Sequence, residues 1–531
     1  MKRRDFIKRV APMSLLPFAI QGQPINAYGS ILGAKAQDFV DTDNVLVLVQ
    51  LNGGNDGLNT VIPLDQYANL TAARPDVIIP ENKVLSMTGT SDTGLHPSLG
   101  KLRNMYNDGK VRIVQNVGYP NQNYSHFRST DIWLTASDRD EVLESGWIGR
   151  YLSEEWPNYP NGFPNDDMKD PLAIQIGSVV SPVCQGLEVN MGFAIANPTN
   201  FYQLLTGDYG ATPDNWAGHE LEYIRTTAHQ SNEYAQRVKT VYEASSNISN
   251  EYPTDFTNYS ASLTNQLKIV ARLINGGLKT RVYIVRLGGF DTHANQVDPT
   301  SSNDVGSHAN LMANLSDSIH GFQDDITKMG KADRVLGMTF SEFGRRIVSN
   351  ASTGTDHGAA APLFMFGNAV KGGITGDNPT IPSGATVRDN LPMEHDFRTI
   401  YSSILEKWFC LDAQTTDSVM LQEFDRLDVL EDSCTTSSIT RNQRAKAGDA
   451  YIMNYPNPFS SYTTVKFYSN GGHVNIDIMN QEGKRIKTLV NATIPEGEHE
   501  VNFDTFGLAA GTYYCRYQNE QLTHTRSMLK V

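Results

Sequence analysis

The sequence predicts an α/β domain with a mainly parallel sheet, followed by a small β-sandwich. Three observations predict it. Apolar runs alternate with stretches of helical periodicity along most of the chain. Those runs are almost continuously apolar, as expected of strands covered on both faces rather than one. From about residue 447 the texture changes to short runs of period two, "HVNIDIMN" and "HEVNFDTF", separated by Asn-Gly, Glu-Gly and Ala-Gly turns.

The elements follow in order. Residues 45–51 are the first buried strand, then 111–118 ("VRIVQNVG"), 280–289 ("TRVYIVRLGG"), 334–344 ("RVLGMTFSEFG") and 361–367 ("APLFMFG"). Leu263, Leu267, Val270 and Ile274 share one helical face, as do Leu311, Leu315, Ile319, Phe322 and Ile326, and residues 217–246 read as a longer, more polar helix. In parallel sheets ligands bind beyond the carboxyl ends of the strands, so those ends are where function is sought.

With 531 residues the chain is long enough for two or three domains. A net charge of −14 argues against a nucleic-acid or anionic-membrane partner, and acidic surfaces accommodate divalent cations. No internal apolar run reaches the roughly 20 residues of a transmembrane segment. The start, "MKRRDFIKRVAPMSLLPFAI", has the basic and apolar regions of an export signal over residues 1–27. Its Arg3-Arg4-x-Phe-Ile-Lys order resembles a twin-arginine signal, with a general secretory signal as the alternative. Of the four cysteines, Cys410 and Cys434 bracket a short segment and can pair outside the cytoplasm. There is no CxxC motif, which disfavours thiolate metal sites.

Five strand ends carry ligand-type or nucleophilic side chains. After the first strand, Asn55-Asp56-Gly57 is either a turn closed by its own side chain or a carboxylate held at the mouth of a metal site. After the second, Ser125 stands where a helix begins, as an N-cap or as a nucleophile beside His126 and Arg128. After the third, Asp291 and His293 lie two apart on an extended chain, a spacing that places both side chains on one side. The fourth gives Glu342 and Arg345, and the loop before the fifth gives Asp356 and His357. Each cluster alone is weak, but five at successive strand ends point to one metal-dependent site.

Two resemblances extend this. Tyr455-Pro456-Asn457-Pro458-Phe459, "QEGKRIKTL", "PEGEHEVNFD", "LAAGTYYCRY" and the closing "SMLKV" resemble the type A C-terminal sorting domain of the type IX secretion system. That resemblance implies type IX machinery as a partner and export through the periplasm to the cell surface or medium. "VLVQLNGGNDGLNTVIP", "YSHFRSTDIW", "GWIGRYL", "GGFDTHANQ", "FSEFGRR" and "DHGAAAPLFMFG" resemble the family catalogued as domain of unknown function 1501, related to alkaline phosphatases and sulfatases. The implied fold is a three-layer α/β/α sandwich of alkaline-phosphatase-like type, with metals at the strand ends and a nucleophile opening a helix. By this resemblance Asp56 would bind one metal and Ser125 match the nucleophile, while Asp291, His293 and His357 would hold the other metal. The second metal's Asp-His pair is replaced by Ser341-Glu342, which leaves it short of a nitrogen ligand. Arg345 and the Gly53–Gly57 amides would stabilise developing negative charge.

The expected organisation is an export signal (1–27), an alkaline-phosphatase-like domain (28–410), a linker rich in Thr, Ser and Asp (411–446) and an immunoglobulin-like β-sandwich (447–531). Two functions are consistent with it. One is an exported hydrolase of phosphate or sulfate esters, small-molecule or glycan, using a divalent metal (Zn, Mn, Mg or Ca), with Ser125 and Arg345 catalytic and Asp56, Asp291, His293, Glu342 and His357 as ligands. The other is a surface binding or structural protein that retains the fold without the chemistry.

Overall fold

The computed structural model describes residues 42–434, apart from 158, 161, 188 and 201–215, and residues 452–530, apart from 456–458, 460, 481–483 and 520–522. The expected export signal, with Arg3 and Arg4, and the later part of the expected linker (435–446) lie outside the described residues. So do Pro456, Asn457 and Pro458 of the sorting motif.

The apolar runs form the strands of one twisted sheet. β1 (Val45–Asn52) lies at its centre. The chain next builds a small antiparallel sheet from β2 (Val61–Pro63), β3 (Leu85–Ser86) and β4 (Thr93–Leu95). It then returns to the main sheet with β5 (Val111–Gly118), β6 (Ala173–Ile176), β7 (Gly192–Ile195), β8 (Val282–Gly288) and β9 (Val335–Phe340). A hairpin of β10 (Arg345–Ser349) and β11 (Thr355–His357) follows. β12 (Ala361–Phe366), β13 (Gly373–Thr375) and β14 (His395–Asp396) complete the sheet in the order β13-β5-β12-β9-β1-β8-β6-β7, with β14 also on β5.

β1 pairs parallel with β8 and β9, and β6 parallel with β7 and β8. β12 departs from this pattern and runs antiparallel to both β5 and β9. The reason is its connection. A parallel return needs a crossover, usually a helix, whereas the chain between β9 and β12 is spent on the β10–β11 hairpin. It therefore re-enters the sheet from the same end.

Side chains alternate across each strand, so the sheet has two apolar faces. Val45, Val47, Val49 and Leu51 of β1 face one core, filled by α2 (Gly100–Asn107), α5 (Trp216–Glu243), α6 (Ser262–Asn275) and α7 (Ser307–Lys328). Leu46 and Leu48 face the other, filled by α3 (His126–Thr135), α4 (Trp147–Glu155), α8 (Phe397–Lys407) and α9 (Ala413–Met420). Helix, sheet and helix make the three layers. The short α1 (Tyr67–Ala73) buries only Leu70 and carries the chain toward Arg74.

The first part of the expected linker is packed rather than extended. Asp412 caps α9 by accepting from the Thr415 amide, and Val419, Met420, Val429 and Leu430 are buried in the second core. Leu430 bridges to Val370, and Cys410 and Cys434 form a disulfide. Polar composition suggested a linker here, but four apolar residues and a covalent tie suffice to seat the segment against the domain.

The C-terminal residues form one antiparallel set of β15 (Ile452–Tyr455), β16 (Tyr462–Met479), β17 (Arg485–Asp504), β18 (Gly511–Gln518) and β19 (Thr523–Lys530) around their own apolar core. β16 pairs with β15 before Gly471-Gly472 and with β18 after it. Both glycines have positive φ (84° and 97°), which lets the long strand turn and serve two layers. Among the described residues no helix is long and apolar enough to cross a membrane.

Candidate metal centre

Beyond the carboxyl ends of β1, β5 and β8, and against the β10–β11 hairpin, four side chains converge. His126 is the first residue of α3, Asp291 and His293 follow β8, and His357 ends β11. Asp291 Oδ1 lies 3.5 Å from His126 Nε2, 3.1 Å from His293 Nε2 and 3.3 Å from His357 Nε2. The two Nε2 atoms of His293 and His357 are 2.8 Å apart. One ligand atom each from His126, Asp291 and His357 falls within 4.8 Å of the others.

The far side of each ring decides what these atoms are. His126 Nδ1 is 2.8 Å from Glu342 Oε1, which also accepts from the Gly53 amide. His293 Nδ1 is 3.0 Å from Asp356 Oδ1, and His357 Nδ1 is 2.8 Å from the Tyr124 carbonyl. Carboxylate and carbonyl oxygens only accept, so each Nδ1 must carry the proton and each Nε2 of a neutral ring presents a lone pair. Burial favours protonation of Asp356, but the His293 and Asn350 contacts outweigh it and hold the carboxylate ionised. Burial likewise keeps the His357 ring below its ordinary pKa and so neutral. Burial would also raise Asp291, yet the hydrogen bond from Arg345 and the contact with His357 take it down to about 2. His126, Asp291 and His357 thus form one mutually close donor group, and His293 Nε2 joins it against Asp291 and His357. Such a set repels itself unless a cation or an added proton lies among it.

Three nitrogens and one oxygen, each imidazole oriented by an oxygen behind it, are the donor set and outer shell of a zinc-type transition-metal site. They suit Mg or Ca poorly, because those ions take oxygen ligands. The residues present fit a single divalent transition metal.

The other residues singled out in the sequence take different places. Asp56 is fully buried and gives both carboxylate oxygens to Arg74, at 3.0 and 2.8 Å, with Gln296 donating to Oδ2 at 2.5 Å. Burial opposes its ionisation, but Arg74, His308 and Gln296 hold its pKa below the ordinary carboxylate value. Its ligand positions are thus filled by protein donors. Glu342 stands behind His126 rather than among the converging atoms. Arg345 is fully buried and donates to the carbonyls of Gly53, Gly54, Phe290 and Thr355 and to Asp291 Oδ1. It is spent on backbone, as is the Gly53 amide on Glu342 and the Asn55 amide on Ser341 Oγ. Ser125 is exposed, in extended conformation at the start of α3, and its hydroxyl does not cap the helix.

Sequence reasoning passed over His126 as a ligand, although it named the residue beside Ser125. The available signal was a histidine at the first position of a helix that opens just past a strand end. The partner Arg74 gave no signal, because nothing in the spacing of 18 residues ties it to Asp56.

Two outcomes follow from this geometry. Asp56→Asn leaves the Arg74 charge uncompensated in the interior and is expected to cost about 3–5 kcal/mol in denaturant unfolding, while the folded fraction keeps its metal. Loss of metal without loss of stability would instead make Asp56 a ligand. His308, fully buried with Asp56, Arg74, Arg345 and His96 around it, is pushed down to about 4 by burial first, against Asp56 and with Arg74 and Arg345. The unfolded ring, near 6.5, takes up a proton that the folded one refuses. Stability of chelator-treated protein should therefore be full above pH 6.5 and fall toward pH 4, and His308→Gln should flatten part of that slope. Identical slopes in the two proteins would contradict the assignment.

Among curated proteins none matches the chain. A protein in the alkaline phosphatase superfamily from Vibrio parahaemolyticus is 11% identical with a TM-score of 0.31, covering 94% of this chain and 91% of that one. A sulfatase from Pseudoalteromonas sp. is 11% identical with a TM-score of 0.33, covering 87% and 84%. Dimeric latent PorU from Porphyromonas gingivalis is 16% identical with a TM-score of 0.14, covering 15% of this chain and 9% of that one. Residues 453–530 match the family profile described as a secretion system C-terminal sorting domain, which indicates an exported or cell-surface chain. Residues 221–407, the segment that carries Asp291, His293, Glu342, Arg345 and His357, match the family profile described as Protein of unknown function (DUF1501).

Proposed function

We propose that this exported protein is a hydrolase of phosphate or sulfate esters that works with one divalent transition-metal ion, zinc by preference, held by His126, Asp291, His293 and His357. The observation that supports it is the gathering of three imidazole Nε2 atoms around Asp291 Oδ1, each ring held from behind by an oxygen. When bound, such an ion supplies Lewis-acid polarisation and a lowered pKa for a neighbouring oxygen acid.

The chain's own groups do the rest. Glu342, Asp356 and the Tyr124 carbonyl fix the tautomer and aim of the imidazoles. Arg345 keeps Asp291 ionised and in place. Ser125 directly precedes His126 at the start of α3, where first-turn amides lack internal partners and the helix dipole favours negative charge. Its hydroxyl would attack phosphorus or sulfur; the new O–P or O–S bond forms as the ester bond breaks, the hydroxyl proton goes to solvent, and the leaving alkoxide takes a proton from water. Water then cleaves the seryl ester. In this assignment Asp56, Glu342 and Arg345 are positioning residues rather than ligands or catalysts.

A second reading, a surface protein that binds metal without turnover, is favoured by one observation: Arg345 and, of the glycine-loop amides, those of Gly53 and Asn55 are committed to internal bonds rather than free for an anion. The two are separated by assay. Purified protein should carry one metal per chain, lost in His126→Ala and His357→Ala, and should hydrolyse aryl phosphates or sulfates with kcat reduced about 10²-fold or more in Ser125→Ala at unchanged metal content. Stoichiometric metal with no turnover on either ester class would leave the binding role. Turnover unaffected by Ser125→Ala would pass the attack to water.

A further inference from the structure

Two arginines follow each other at the start of β10, and strand alternation sends them to opposite sides. Arg345 goes inward, and each of its three nitrogens donates to protein. Arg346 goes outward and remains half-buried at the mouth of the centre. Its Nε donates to the His357 carbonyl at 3.1 Å and its Nη1 to the Val387 carbonyl at 2.7 Å. Among the described residues its Nη2 donates to no protein group, and no carboxylate pairs with it within salt-bridge distance. The guanidinium carbon lies 5.7 Å from the centre of the Tyr124 ring. Tyr124 is itself fixed at both ends: its carbonyl accepts from His357 Nδ1, and its hydroxyl accepts from Asn390 at 3.2 Å.

A guanidinium held by two carbonyls, with one amino group turned outward beside a metal-ligating residue, is preorganised to donate to an anion. The Tyr124 ring lies beside it, and Phe127 is the second residue of α3, next to His126. Tyr124 is 41% exposed and Phe127 is 82% exposed, and these two rings flank Ser125 and His126 at the opening of α3. Exposed rings of this kind are suited to stacking on the face of another ring. Asp356 and Asp389 feel the Arg346 charge but take their hydrogen bonds elsewhere, from His293 and Asn350 and from the Thr386 amide.

We infer that Arg346 is the specificity-determining residue of the centre, receiving the anionic group of a ligand whose ring, aryl or sugar, lies on Phe127 and Tyr124. The inference rests on the proposal that the centre handles anionic esters, and it is independent of whether turnover occurs. Arg346 contacts the ligand and takes no part in bond-breaking.

The test is calorimetric titration of the metal-loaded full chain with inorganic phosphate, phenylphosphonate and a glucosyl phosphonate, none of which is hydrolysed at an ester bond. Arg346→Gln should weaken all three by about tenfold or more, Arg346→Lys by less, and Arg388→Ala, on the exposed neighbouring loop, should change nothing. Phe127→Ala should weaken the two ring-bearing probes by about threefold and leave phosphate unaltered. Preference between those two probes tells an aryl from a sugar ligand. Equal binding by Arg346→Gln and wild type, or no phosphate binding by metal-loaded wild type, would overturn the inference. So would loss of metal together with phosphate in Arg346→Gln, because Arg346 would then act only by holding His357. Arg346-dependent binding without ester turnover would uphold it and sink the hydrolase.

Discussion

The buried guanidinium of Arg345 ties together the loops on which the centre depends. It reaches the carbonyls of Gly53 and Gly54 after β1, of Phe290 after β8 and of Thr355 in β11, and it ends on Asp291. Three segments far apart in sequence are thereby fixed at one buried point. The packing is close enough to dictate residue type. A Cβ on Gly53, whose φ is 126°, would stand 2.3 Å from the Asp291 amide nitrogen, so the approach of the β1 loop to the metal-site loop requires glycine. Removing Arg345 would strand four buried carbonyls and free Asp291 at once, a cost paid in both stability and site geometry.

Behind the imidazoles the same economy recurs. Glu342 accepts from the Gly53 amide and from His126, so the loop that Arg345 pins also aims the His126 ring. Asp356 serves His293, and the Tyr124 carbonyl serves His357. Phe343 packs against both His126 and His357, with ring centres at 4.9 and 4.5 Å, and limits their rotation. Deeper still, Asp56, Arg74, Gln296, Asn55 and His308 form a buried polar layer under the centre. The acids that the sequence offers as ligands, Asp56, Glu342 and Asp356, each face a protein partner here, while His126, His293 and His357 gather around Asp291.

That division explains what the sequence made legible. The five strand candidates all appear, because continuous apolar runs bounded by glycine report strands covered on both faces. The direction of β12 was not legible, since it depends on how the hairpin before it returns. Nor was the seating of residues 411–434, which turns on a few apolar contacts and the Cys410–Cys434 bond. At the site, Asp291, His293 and His357 are brought together, and their residue types and strand-end positions pointed to that. Asp56 and Glu342 have the same outward signature but different neighbours. Only the fold reveals that Arg74 meets Asp56 and that His126 meets Glu342.

The central claim is that Nε2 of three imidazoles and Asp291 Oδ1 share one metal ion. X-ray absorption at the metal edge of the purified, metal-loaded chain reads this directly. The account predicts about 2.0–2.1 Å nitrogen and oxygen scattering with the outer-shell features of three imidazoles, reduced to two in His126→Ala. An oxygen-only shell, or a three-imidazole signature that survives His126→Ala, would contradict it.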